Sequence, residues 1–163
     1  MGEQGQGMDA QGLIEAVVAR DARCVRIEQA NLPAVSVPLE GLIALLEWLR
    51  NDDGLHFDLL ITHTAVDWPD RDSFELLYVL YSTAHGHYLA VSALIARSNP
   101  VAPTVSDIWP IAHWQEREAY DLFGILYDEH PDLRRVFLED DWAGHPLRKD
   151  YEDPYMLERP VWP

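Results

Sequence analysis

The chain has 163 residues, 48% of them hydrophobic, which is enough for one domain with its own core. It carries 28 Asp and Glu against 12 Lys and Arg, a net charge of -16; this argues against nucleic acid, which demands a basic face, and against docking on anionic lipid. The single cysteine, Cys24, can make neither an internal disulfide nor a four-thiolate iron–sulfur cluster, and its apolar neighbours make it a small packing residue.

Residues 1–8 read as a flexible leader, acidic and glycine-rich, without the basic and apolar regions of a secretory signal. From Asp9 to Ala19, Leu13, Ile14, Val17 and Val18 follow helical spacing. Ala22 to Ile27 and Val35 to Val37 suit short strands. A clearer helix follows: Pro38 fits a first turn, Leu39, Leu42, Ile43, Leu46 and Leu49 form one stripe, and the Asn51–Gly54 segment stops it.

Phe57 to Val66, Ser73 to Ser82 and Tyr88 to Ala96 then read as three strands joined by short turns, an antiparallel meander. The middle strand is apolar on both faces: Phe74, Leu76, Tyr78 and Leu80 on one, Leu77, Val79 and Tyr81 on the other. Such a strand belongs in a sheet covered on both sides, and the helices at hand cover only part of it, which hints at a partner. Asn99-Pro100 and Ala102-Pro103 mark a loop, and a helix is expected from Pro110 to about Phe123. No apolar run approaches the roughly 20 residues of a membrane-spanning helix. If the protein works at a membrane, other proteins must hold it there.

After Gly124 the periodicity ends. Residues 125–163 are rich in proline, charge and aromatic anchors and read as an ordered, irregular arm attached to an α+β domain over residues 9–124. On the last helix, Ile111, Trp114, Glu118 and Asp121 or Leu122 share a side, which would place a carboxylate among apolar residues. Arg117 and Asp121 are four apart and can pair along the helix. Either this is an ordinary exposed helix with internal pairs, or its charged groups lock a partner through Arg–carboxylate forks. Arg and Trp recur together in the arm, a combination frequent at interface hot spots.

Competing chemistries find little support. His85 and His87 flank a turn-like glycine, and His130 and His145 are separated by a charged loop. Neither set has a metal ligand's spacing. Asp140-Asp141 could hold Mg²⁺, but a solvated acidic turn is commoner. Hydrolase and phosphate-cradling motifs are absent. An autonomous enzyme would have to use Glu118 and Asp121 as acid and base.

The run Glu116-Arg117-Glu118-Ala119-Tyr120-Asp121-Leu122-Phe123-Gly124-Ile125 resembles the signature of the C-type subunit, the thirty-kilodalton type, of respiratory complex I, the NADH:quinone oxidoreductase. His130-Pro131-Asp132-Leu133-Arg134-Arg135 and the run from Asp141-Trp142 to Arg148-Lys149-Asp150-Tyr151 resemble its continuation, in order and at similar spacing. The likeness covers roughly Val35 to Tyr151. Departures are Asp128-Glu129 before His130, where a glycine is more usual, and Ile111-Ala112-His113. Related subunits occur in membrane-bound hydrogenases and in F420H2- or ferredoxin-linked dehydrogenases.

The resemblance implies an α+β fold, a small mixed or antiparallel sheet flanked by helices with an extended C-terminal arm. It implies a non-redox structural subunit that binds no cofactor itself, in a complex whose other subunits use NADH, FMN, iron–sulfur clusters and quinone. The expected neighbours are the D-type subunit, with the cluster-bearing B-type and I-type subunits nearby, on the cytoplasmic face of a bacterial membrane. The expected partner surface comprises Trp114, Glu116, Arg117, Glu118, Tyr120, Asp121, Phe123, His130, Asp132, Arg134, Arg135, Asp141, Trp142, Arg148, Lys149, Asp150 and Tyr151. A free-standing adaptor is the remaining alternative.

Overall fold

A computed structural model describes residues 8–153. The leader, apart from Met8, and the last ten residues of the arm lie outside the described residues. Helix α1 (Ala10–Arg20) starts where the Asp9 carboxylate accepts from the Gly12 amide at 2.8 Å, filling the capping role that a first turn requires. It buries Leu13, Ile14 and Val17 and leaves Val18 exposed. Helix α2 (Leu39–Asn51) buries Leu42, Leu45, Leu46 and Leu49, the three-and-four spacing of an apolar stripe. Pro38 precedes its first turn rather than entering it.

The strands are β1 (Val25–Arg26), β2 (Ala34–Ser36), β3 (Leu59–Trp68), β4 (Ser73–Tyr81) and β5 (Tyr88–Ala96). They form one mixed sheet in the order β1-β2-β5-β4-β3. β3, β4 and β5 are the antiparallel meander that their alternation predicts, while β2 lies parallel to β5. β1 is shorter than the expected Ala22–Ile27 because Asp21 captures the chain first. Its carboxylate accepts from the Arg23 amide at 3.0 Å and from the Arg23 guanidinium at 2.9 and 2.7 Å, fixing a turn before Cys24. Cys24 is buried in the core. The β3–β4 connection is tighter than expected: Asp67 and Trp68 belong to β3, and Asp72 adopts a left-handed φ of 48°.

All the core residues of β4 lie on one face, Phe74, Leu76, Tyr78 and Leu80, opposite Ile95, Ala93, Val91 and Leu89 of β5. The other face, carrying Leu77, Val79 and Tyr81, is only half-buried. The described residues therefore do not cover the sheet on both sides as the two apolar faces of β4 suggest.

Strands β6 (Val101–Pro103) and β7 (Leu126–Asp128) form a separate parallel pair, joined through helix α3 (Ala112–Phe123). β6 lies in the segment that reads as a loop. α3 packs against the outer strand β3. There the Gln115 side chain occupies the sheet edge: its oxygen accepts from the His63 amide at 2.9 Å and its nitrogen donates to the Ile61 carbonyl at 3.3 Å. The irregularity in register between Leu60 and Thr62 lies at this contact.

Candidate functional site: a helix that organises the C-terminal arm

α3 ends at Gly124, whose φ of +76° allows the left-handed turn that releases the chain into the arm. A Cβ at this glycine would lie 2.6 Å from the His145 ring, so close approach as well as conformation requires glycine. Ala112, Ala119 and Phe123 face the core, and three charged residues, Glu116, Arg117 and Asp121, are buried with them. Burial of ionic groups is tolerated only with partners, and each of the three finds its own.

Asp121 does not pair with Arg117. One carboxylate oxygen accepts from the backbone amides of Val136, Phe137 and Leu138 at 3.0, 2.8 and 3.1 Å. The other receives the Arg135 guanidinium at 2.7 Å. Burial alone would raise the Asp121 carboxyl, but these donors, led by the Phe137 and Leu138 amides, outweigh it and hold the group below its ordinary value of 3.8. Arg135 also donates to the Trp142 and Gly144 carbonyls at 3.1 and 3.2 Å. One ion pair thus gathers two stretches of arm.

Arg117 instead donates to the Arg134 and Arg135 carbonyls at 3.1 and 3.3 Å, and its guanidinium lies 4.8 Å from the centroid of the Trp114 ring. Farther along, the Leu147 amide donates to the Leu122 carbonyl at 3.0 Å and His145 donates through Nδ1 to the Asp121 carbonyl at 2.9 Å. The last latch is on the sheet. Buried Asp67 accepts from Arg97 at 2.7 Å and from the Lys149 amide at 2.8 Å, while Arg97 also pairs with Asp150 at 2.8 Å. The guanidinium of Arg148 lies 5.1 Å from the Phe74 ring centroid.

Glu116 sits in a different environment. One oxygen accepts from the Val105 amide at 2.7 Å and the other lies 2.5 Å from the Thr104 hydroxyl. Burial pushes its carboxyl up to about 7. Thr104 also lies 2.9 Å from the Ser106 hydroxyl, so a neutral Glu116 can donate to Thr104 and Thr104 to Ser106. With Glu116 ionised the same chain runs in reverse. His130 lies 3.9 Å from Glu116 without forming an ion pair. Its Nδ1 accepts from the Asp132 amide, which puts the proton on Nε2, and Nε2 donates to the His113 carbonyl at 3.1 Å. Burial lowers the His130 pKa, keeping the ring neutral. Nearby, His63 donates from Nδ1 to the Leu77 carbonyl and accepts the Tyr127 hydroxyl at 2.6 Å, and burial lowers its pKa to about 4.

The expected partner residues divide accordingly. Glu116, Arg117, Asp121 and Phe123 are buried, and the His130 side chain is enclosed. Tyr120, Arg135, Arg148 and Tyr151 are half-buried. Trp114, Glu118, Asp132, Arg134, Asp141, Trp142, Lys149 and Asp150 are exposed. The stripe of Ile111, Trp114 and Glu118 faces solvent, so Glu118 is not the buried carboxylate that its spacing suggests; Glu116 and Asp121 are. An acid–base pair of Glu118 and Asp121 has no working base, because Asp121 is enclosed by donors. Among the described residues there is no group of three or more His, Cys, Asp or Glu placed to hold a metal. Phe137, Leu147, Gln115 and Asp67 are structurally prominent residues that spacing does not single out.

Residues 35–155 match the family described as respiratory-chain NADH dehydrogenase, 30 Kd subunit. The chain belongs to this family. It is 40% identical over 124 residues to the C-type subunit of the NADH-quinone oxidoreductase of Moorella thermoacetica, covering 76% of this chain and 82% of that one. It is 43% identical over 118 residues to the corresponding NADH-quinone oxidoreductase subunit of Geotalea uraniireducens, covering 72% and 71%. Among solved structures, a trypsin-resistant fragment of Nqo5 superposes with a TM-score of 0.63 at 28% identity, covering 77% of this chain and 100% of the fragment. A chain of the membrane-bound sulfane sulfur reductase, an archaeal respiratory membrane complex, shares the fold at a TM-score of 0.75 and 24% identity, covering 87% and 85%. The residues organising the arm, Arg117, Asp121 and Arg135, all lie within the region matched to the thirty-kilodalton family. No helix among the described residues is long and apolar enough to cross a membrane.

Proposed function

We propose that this chain is a non-redox structural subunit of the peripheral arm of a proton-translocating NADH:quinone oxidoreductase, bracing the quinone-reducing module against the D-type subunit. The observation that carries the reading is the arm itself. More than twenty residues after β7 lack regular structure, yet their backbone is fixed by buried Asp121, Arg117 and Asp67 and by half-buried Arg135. An irregular segment held this firmly with aromatic side chains facing outward suits recognition by a neighbouring protein better than chemistry. The names of the relatives supply the identity of the assembly. NADH, FMN, iron–sulfur clusters and quinone belong in this reading to other subunits, among them the B-type and I-type neighbours, and the chain reaches the cytoplasmic side of the membrane through them.

The test is native mass analysis of the membrane complex with and without this chain. The reading expects the chain in the complex beside a D-type subunit, loss of the assembled quinone-reducing module on deletion, and no NADH:quinone turnover by the purified chain. Recovery as a free protein, or intrinsic turnover, would overturn it. Companions of the hydrogenase type would place the same structural role in a related complex.

A further inference from the structure

The arm's basic residues divide: Arg134 and Lys149 are exposed, whereas Arg135 and Arg148 turn inward, as Arg117 and Arg97 do beneath the arm. Arg117 and Arg135 serve backbone carbonyls and Asp121, Arg97 serves Asp67 and Asp150, and Arg148 lies over Phe74. The outward side chains between Phe137 and Leu147 are of another kind. Phe137 is 67% exposed, Trp142 40% and Leu147 48%. Between them Glu139, Asp140 and Asp141 are exposed, and their carboxylates have no hydrogen bond or ion pair among the described residues.

The three apolar residues are displayed by backbone fastened to one place. The Phe137 amide binds Asp121, the Trp142 carbonyl binds Arg135 (itself bound to Asp121), and the Leu147 amide binds the Leu122 carbonyl. An exposed aromatic side chain on a loose loop means little, since single surface hydrophobics are ordinary. Three of them, presented from backbone pinned to the last turn of α3, are held in place before any partner binds.

We propose that Phe137, Trp142 and Leu147 form a docking surface for a neighbouring subunit, with Phe137 the central anchor. The partner is a protein face with an apolar recess rimmed by Lys or Arg. The acidic turn Glu139-Asp140-Asp141 decides the rim: an acidic or neutral rim would leave these carboxylates unpaired or repelled, whereas a basic one pairs them at the edge of the contact. Aromatic anchors inside a charged rim give affinity through the anchor and orientation through the rim. The inference rests on the chain being a subunit of a larger complex, and it specifies the chemistry of the recognition.

The experiment uses the native complex with a photoreactive phenylalanine analogue at position 137. The expected result is a crosslink to a different polypeptide, in a surface segment with apolar residues flanked by Lys or Arg. Phe137→Ala is expected to weaken association of the chain with its complex at least about tenfold, the loss typical of an aromatic hot spot. Replacing Glu139, Asp140 and Asp141 by Lys is expected to weaken it too, with an effect that shrinks as salt is raised. Unchanged thermal unfolding of both purified variants separates recognition from folding. A crosslink only within the chain, a crosslink to an acidic face, or full association of the Phe137→Ala chain would each overturn the surface while leaving the subunit role standing. Absence of the chain from any complex would overturn the subunit role itself.

Discussion

The Asp121 carboxylate receives the Arg135 guanidinium at 2.7 Å on one oxygen and three consecutive backbone amides on the other. Every lone-pair direction that matters is occupied by a residue of the arm. Removing one partner of a buried charge pair strands the other and costs about 3–5 kcal/mol. Asp121→Ala is therefore expected to lower thermal stability sharply, or to release residues 134–147 as a unit if local opening is the cheaper route. Hydrogen exchange of the Val136, Phe137 and Leu138 amides reads this directly; unchanged protection in the variant would contradict the assignment. The acid side has a definite sign as well. Because the Asp121 carboxyl is held below 3.8 when folded, its contribution is present above that value and disappears as pH falls below it.

Glu116 has the opposite sign. Its carboxyl is raised from 4.5 to about 7 by burial, so the folded state prefers the proton. The stability this provides is complete below about 4.5 and is lost as pH climbs through 7, for a total on the order of 3 kcal/mol. Glu116→Gln keeps an acceptor for the Val105 amide and supplies a donor for Thr104. The variant should be more stable than the parent at pH 8, by about 1–3 kcal/mol, and nearly equal to it at pH 5. Thermal melts across that range test the point; identical pH profiles for the two proteins would sink it.

His63 and Tyr127 make a buried pair of neutral groups, with the hydroxyl donating to Nε2 at 2.6 Å. Tyr127→Phe leaves that nitrogen without its donor and is expected to cost about 1–3 kcal/mol, with the fold intact. The His63 pKa, lowered to about 4, gives stability that is present above 6.5 and fades as pH falls toward 4. Removing the hydroxyl should therefore leave the ring neutral at pH 7, which nitrogen chemical shifts can establish. A protonated ring at that pH in the variant would refute the account.

Gly124→Ala meets two obstacles at once: a φ of +76° and a contact 2.6 Å from His145. The expected loss is about 1–3 kcal/mol, with His145 displaced from the Asp121 carbonyl. Faster exchange or easier proteolysis of the arm beyond residue 143 is the readout. If only the helix end loosened and the arm kept its protection, the coupling through His145 would be wrong.

Much of the architecture is legible from local pattern. The leucine stripe of α2 and the alternation of β3, β4 and β5 are dictated by spacing, because burying one face repeats at the period of the element. β6 escapes that reading: three residues, Val101 to Pro103, carry no period, and only their pairing with Leu126–Asp128 makes them a strand. The charged residues of α3 escape it for a different reason. Spacing offers Arg117 the carboxylate four residues on, whereas the real acceptors lie at Arg134 and Arg135, brought back by the turn at Pro131–Asp132, which helical spacing does not anticipate. Glu118, expected among apolar residues, is exposed because the helix turns its Ile111–Trp114 side outward, and Glu116 is buried instead. Family resemblance marks the right region without saying which way each side chain points.

The Gln115 amide, seated against Ile61 and His63, has an effect on copies of the chain. A border strand with free amides and carbonyls invites a second molecule to extend the sheet, the first step toward fibrous aggregates. Here a single side chain from an adjoining helix already occupies two of those positions, the His63 amide and the Ile61 carbonyl. A molecule produced before its neighbours are ready thus meets others of its kind with this border interrupted at Ile61 and His63, so continuous pairing along β3 requires α3 to lift away.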